Sequence, residues 1–81
     1  MKLPDIGELV QVEFNDETIE LIVKELIPAE EGAHWVWLNA PRGLFKKGDP
    51  CHWKIEERMI RTTVYEVAEP GLIRLKCLPG A

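Results

Sequence analysis

Cys51 and His52 are neighbours in the chain, and a thiol beside an imidazole is the minimal nucleophile and base of covalent catalysis. The pair works only if both side chains reach one substrate. Cys51-His52-Trp53-Lys54-Ile55-Glu56 alternates apolar and polar residues, as a strand does, and successive strand residues point to opposite faces. Thiol and imidazole are thereby held apart, and no catalytic residue is assigned. His34, His52, Cys51 and Cys77 are residue types that bind zinc, but the chain has no C-x-x-C or H-x-x-x-H pair of the kind such sites are built from. No metal ligand is assigned and no cofactor is expected; both cysteines read as buried free thiols. Glu30-Glu31 and Glu56-Glu57 fall in turn segments, where carboxylates are solvated and would need a pocket to do acid–base work. No G-x-G-x-x-G or Walker loop is present to cradle phosphate. The expectation is a protein that is not an enzyme.

Binding chemistry is better represented. Trp35 and Trp37 share one face of a short alternating segment whose other face carries Val36 and Leu38. Two faces of one strand cannot both be core in a small domain, so either the tryptophans form an outward apolar patch for a partner, or a loop covers them. The candidate covers are residues 40–49 and the N-terminal Leu3-Pro4-Asp5-Ile6. Tryptophan is a frequent interface anchor, and Arg61 and Tyr65, outward on a later segment, would extend the same surface. Residues 40–49 hold Arg42, Phe45, Lys46 and Lys47, the mixture of bases and an aromatic with which small barrels bind single-stranded nucleic acid. The competing reading of this stretch is a solvated loop anchored to the core by Leu44 and Phe45.

The elements that must position these groups are strands. Asn15-Asp16, Pro28 through Gly32, Pro41 through Gly43, Gly48-Asp49-Pro50, Glu56-Glu57 and Glu69-Pro70-Gly71 divide the chain into six segments of strand length. Val10, Val12 and Phe14 alternate with polar residues, as do Ile19, Leu21 and Val23, although Ile22 falls on the polar side. These two predict a hairpin. His34–Asn39, 51–56, 59–67 and 72–78 continue the period of two, and no stretch favours helical spacing. The expected fold is all-β, a single domain over residues 1–81 forming a small closed or partly open antiparallel barrel of about six strands, since closure removes exposed edges. One short helical turn is compatible with it.

Composition limits the partners. Apolar residues make up 46% of the 81 and charged residues 30%, a globular mixture with room for one small core. The net charge is −4, which argues against holding nucleic acid by bulk electrostatics. Residues 1–33 carry two bases against nine acids, whereas residues 34–81 carry eight bases against five acids. Adjacent strands of complementary sign account for such a division, and so does a basic face for a partner. No apolar run is long enough to insert in a membrane, no signal peptide is evident, and the expected location is cytoplasmic.

Gly7-Glu8-x-Val-x-Val-x-Phe14, Val23-x-Glu25, Val36-x-Leu38-x-x-Pro41, Gly48-Asp49, Thr62-x-Val64 and Leu75-x-x-Leu78-Pro79 occur in this order over nearly the whole chain. Their order and spacing resemble the PilZN-type N-terminal barrel of bacterial flagellar-brake proteins, which precedes the PilZ domain of these cyclic-di-GMP receptors. In that family the nucleotide is held by an Arg-x-x-x-Arg motif just after the barrel and an Asp/Asn-x-Ser-x-x-Gly motif in the next domain. Neither occurs in residues 1–81, and Arg58-Met59-Ile60-Arg61 has a different spacing. The resemblance therefore implies a bacterial protein-interaction module for cyclic-di-GMP or motility signalling that does not itself bind the nucleotide. Its implied partner is a PilZ-type receptor or a flagellar component, and self-association into a homodimer is also open. The alternative is a small barrel binding single-stranded nucleic acid through residues 40–49.

Overall fold

The structure, a computed structural model, describes residues 3–69 and 71–77. Pro70 and the Leu78-Pro79 end of the last sequence motif lie outside the described residues. Seven strands follow one another: β1 (Leu9–Phe14), β2 (Glu17–Pro28), β3 (His34–Asn39), β4 (Pro50–Ile55), β5 (Arg58–Thr63), β6 (Glu66–Ala68) and β7 (Leu72–Cys77). They form one antiparallel sheet in the order β5-β4-β1-β2-β3-β7-β6, curled into a half-barrel. The helical content among the described residues is one 3₁₀ turn at Glu30–Gly32.

Turn chemistry sets the hairpins. Asn15 and Asp16 both have positive φ, 51° and 64°, the conformation of a two-residue type I′ turn, which matches the twist of flanking strands. Phe14 is accordingly paired with Glu17 and Val12 with Ile19, so the apolar sets of β1 and β2 face the same way. The β2–β3 register shifts between Val23 and Glu25. This bulge displaces Lys24 and reverses the alternation, placing Leu26 opposite the buried Val36 while Glu25 and Ile27 face outward with Trp37 and Trp35. Ile22, whose neighbour across the ladder is Asn39, is exposed because alternation turns it outward between the buried Leu21 and Val23.

The fifth sequence segment is two strands rather than one. At Val64-Tyr65 the chain leaves the β4 ladder, where Gly48 N–H donates to Val64 O at 2.7 Å and Val64 N–H to Asp49 O at 2.9 Å. It then joins β7, with Tyr65 N–H donating to Arg74 O at 2.9 Å. The two ends of the sheet, β5 and β6, are thus successive stretches of one bent segment. Beside it a seam between β5 and β7 is closed by side chains: Trp53 Nε1–H donates to Lys76 O at 3.0 Å and the Thr62 hydroxyl to the same oxygen at 3.4 Å.

The inward residues of all the long strands make one core, including Val12, Phe14, Leu21, Val36, Leu38, Trp53, Val64, Ile73 and Leu75. Cys51 and Cys77 are buried in it as free thiols. No helix among the described residues is long and apolar enough to cross a membrane.

Candidate interaction surface

Because Val36 and Leu38 are wholly buried, alternation turns Trp35 and Trp37 to the outer wall of β3. There they meet the outward residues of β7. The register sets Trp35 against Lys76 and Trp37 against Arg74. The Arg74 guanidinium lies 4.4 Å from the Trp35 ring centroid and 5.8 Å from that of Trp37, and Lys76 Nζ lies 5.5 Å from Trp35. Attraction of a cation to the negative face of an indole holds this arrangement. Tyr65, carried by the bend between β5 and β6, meets Trp35 edge-on at 5.1 Å. The tryptophans are half-buried in consequence.

Neither cover expected from the sequence is used. The N-terminal Leu3 and Pro4 line a different concavity, a cavity of about 360 Å³ where β1 and β4 splay apart beyond the Gln11–Lys54 pair. Val10, Trp53, Ile55 and Cys77 form its other apolar walls. Residues 40–49 fold against the core through Phe45, which is only 4% exposed and packs on Phe14 at a centroid distance of 4.6 Å. Phe45, expected from the sequence among the partner contacts, is placed here as the buried anchor of its loop, where an aromatic contributes more than it would facing water.

The same loop is organised as two tight turns. Leu44 N–H donates to Pro41 O at 3.3 Å and Asp49 N–H to Lys46 O at 3.0 Å, with Gly43 and Gly48 at φ 78° and 94° in the third positions that favour glycine. Asp49 Oδ2 also accepts from Lys46 N–H at 2.8 Å. Arg42, Lys46 and Lys47 are exposed on this loop, and Arg42 pairs with Glu69 across 3.4 Å. They stand without the stacking ring that the nucleic-acid reading requires. Arg61 faces outward on β5 opposite His52, on the far side of the β5–β7 seam from the tryptophans. Of the eight residues picked out as contacts from the sequence, the structure gathers Trp35, Trp37 and Tyr65.

Arg74 and Lys76 alternate with Ile73, Leu75 and Cys77 along β7, but nothing in the sequence shows that β7 lies beside β3. Around them the apolar wall continues: Ile22 is 42% exposed, Ile27 39% and Tyr65 40%. Beside Trp37 a shallow groove of about 410 Å³ is floored by Trp37, Ala68 and Leu72 and rimmed by Lys24 and Glu25.

The two thiols sit in the core. Burial, with a smaller contribution from the Asp49 carboxylate, pushes the Cys51 thiol up to about 11, and burial also raises Cys77. A thiol so raised is protonated at neutral pH and a poor nucleophile. His52, next to Cys51, lies on the opposite face of β4. Among the described residues no three of His, Cys, Asp and Glu converge on a point that could hold a metal. No family model, curated protein or solved structure matches this chain.

Proposed function

We propose that this chain is a non-catalytic protein-interaction module whose contact face is the outer wall of β3 and β7. The observation that carries the reading is the pair Trp35 and Trp37, set on the outside of the sheet, pre-oriented by Arg74 and Lys76 and continuous with exposed Ile22, Ile27 and Tyr65. Rigid aromatic anchors bordered by charge are the composition of interface hot spots. The motif resemblance to PilZN-type barrels supports a bacterial, cytoplasmic signalling or motility setting, with a PilZ-type receptor or a flagellar component as partner.

Affinity capture from nuclease-treated bacterial lysate, comparing wild type with the Trp35→Ser/Trp37→Ser double variant, tests the reading once circular dichroism has established that both fold. A partner retained by the wild type alone is then purified and titrated directly. A loss of affinity of at least tenfold in the variant is expected. Equal affinity of the two forms for that partner, or equal capture throughout, would falsify the tryptophan face. Loss on Lys46→Ala/Lys47→Ala instead, with nucleic acid as the captured species, would favour the loop.

A further inference from the structure

The chemistry of the occupant can be read from the groups around the groove, on the reading that the tryptophan face is an interface. We infer that the segment docking there is a stretch of protein presenting a carboxylate beside an apolar side chain, the carboxylate to Arg74 and Lys76 and the apolar group to the groove beside Trp37.

The apolar half follows from the groove itself, whose floor of Trp37, Leu72 and Ala68 offers no hydrogen-bonding side chain other than the indole N–H. The carboxylate follows from charge. Among the described residues the one ion pair is Arg42–Glu69. Among those residues no carboxylate lies within ion-pair distance of Arg74 or Lys76 on the floor of the face, or of Lys24 on its rim. Arg74 Nε is buried without an acceptor, so a ligand meets the guanidinium through its terminal nitrogens. The guanidinium carbon lies over the rings of Trp35 and Trp37. A carboxylate is the group that a guanidinium binds most strongly, and an arginine already held by two rings has little rotamer freedom left to lose.

Other occupants fit less well. A cationic ligand would have to displace Arg74 and Lys76 from the indole faces. A nucleic acid would need those same faces for its bases, and its phosphates would run along Glu25 and Glu66, which flank Trp37 and Arg74 in the ladders, in a chain of net charge −4. A single carboxylate set between apolar residues brings one negative charge to Arg74 and Lys76, whereas a nucleic acid carries one per nucleotide past the same acids.

Two blocked ten-residue peptides, one of leucine and glutamate and one of leucine and lysine, and an oligothymidylate of similar length are titrated against the folded chain by calorimetry and tryptophan fluorescence. The glutamate peptide is expected to bind at least tenfold more tightly than either alternative, and to weaken as salt rises from about 50 to 500 mM as exposed charges are screened. Arg74→Gln should abolish that preference and Arg74→Lys retain part of it, while Lys46→Ala/Lys47→Ala leaves it intact. If Arg74→Gln fails to fold, Lys76→Gln serves, with a smaller loss expected. Equal binding of both peptides, tighter binding of the oligonucleotide, or binding of none overturns the carboxylate inference. The interface reading falls separately, if the capture experiment or its purified partner does not distinguish wild type from Trp35→Ser/Trp37→Ser.

Discussion

Arg74 and Trp35 stand on neighbouring strands with the guanidinium 4.4 Å from the ring centroid, so the residue that covers the tryptophan is the cation opposite its face rather than a loop. This changes what the face is. An indole under a loop is core, whereas an indole under one arginine is shielded in the free protein and can still be reached by a partner. The same contact contributes to folding, because the arginine stem covers apolar surface that water would otherwise meet.

Removing that cover should cost stability as well as binding. Arg74→Ala is expected to destabilise the domain by about 1–2 kcal/mol, from the lost cation–π contacts and the lost packing of the stem. Urea unfolding read by far-ultraviolet circular dichroism measures it, with iodide quenching of tryptophan fluorescence rising in the variant. An unchanged midpoint together with unchanged quenching would mean that the stack does not persist in solution.

Phe45 and the two lysines beside it should separate cleanly. Phe45→Ala removes a ring packed on Phe14 in the core, and a cost of about 3–5 kcal/mol is expected, enough to unfold much of a marginal domain at 37 °C. Lys46→Ala and Lys47→Ala should each stay within about 0.5 kcal/mol of wild type. Comparable losses at all three positions would show that the loop is not anchored through its aromatic.

Gly71 is needed for space. A Cβ at this position would run into the carbonyl oxygen of Ala40, the residue whose N–H donates to Gly71 O at 2.8 Å. Gly71→Ala must push apart the start of the 40–49 loop and the β6–β7 turn, and a loss of about 1–3 kcal/mol is expected. Thermal unfolding measures the loss, and hydrogen exchange at the Ala40 amide should speed up. Wild-type protection of that amide would contradict the close approach.

Cys51 supplies a pH dependence of known sign. Burial raises its thiol from the ordinary value of 9.0 to about 11 in the fold, so between those values the unfolded chain loses its proton first and unfolding is favoured. The associated stability is fully present below about pH 9 and is lost as pH rises toward 11. Denaturant midpoints at pH 7.5, 9 and 10.5 should fall more steeply for wild type than for Cys51→Val, which has no group to titrate there. Parallel curves for the two proteins would remove Cys51 from the account, and rapid labelling of the folded protein by a thiol reagent at pH 8 would do so independently.

Much of this architecture is legible in alternation and turn residues. The Val10, Val12, Phe14 pattern and the Asn15-Asp16 turn specify β1, β2 and their register, whereas both faces of β3 are apolar, so alternation alone leaves its inward side open. Three features are not local and so escape such a reading. The bulge at Lys24 exchanges the faces of β2 beyond Val23, and the adjacent polar pair Lys24-Glu25 before Leu26 is its trace in the sequence. The bend at Val64-Tyr65 divides a continuous apolar alternation, because each half pairs with a different neighbour. The placing of β7 beside β3, which assembles Trp35, Trp37, Arg74 and Lys76, depends on sheet order alone. Tyr65 was recognisable as outward, yet its contact with Trp35 exists only because of the bend.

The sheet order also bears on how the chain acquires its shape during synthesis. Strands β1 to β3 form a meander of adjacent pairs, and β4 and β5 a hairpin that adds to β1; all of these can form before the final strand leaves the ribosome. Strand β7 then has to settle between β3 and β6 and supply the Lys76 carbonyl that Trp53 and Thr62 hold. Until it does, Val36, Leu38 and Val64 have no Ile73 or Leu75 to pack against, and β3 presents an open edge. A chain interrupted before Leu72 should accumulate as an aggregation-prone intermediate, whereas loss of the first few residues leaves every strand pairing in place.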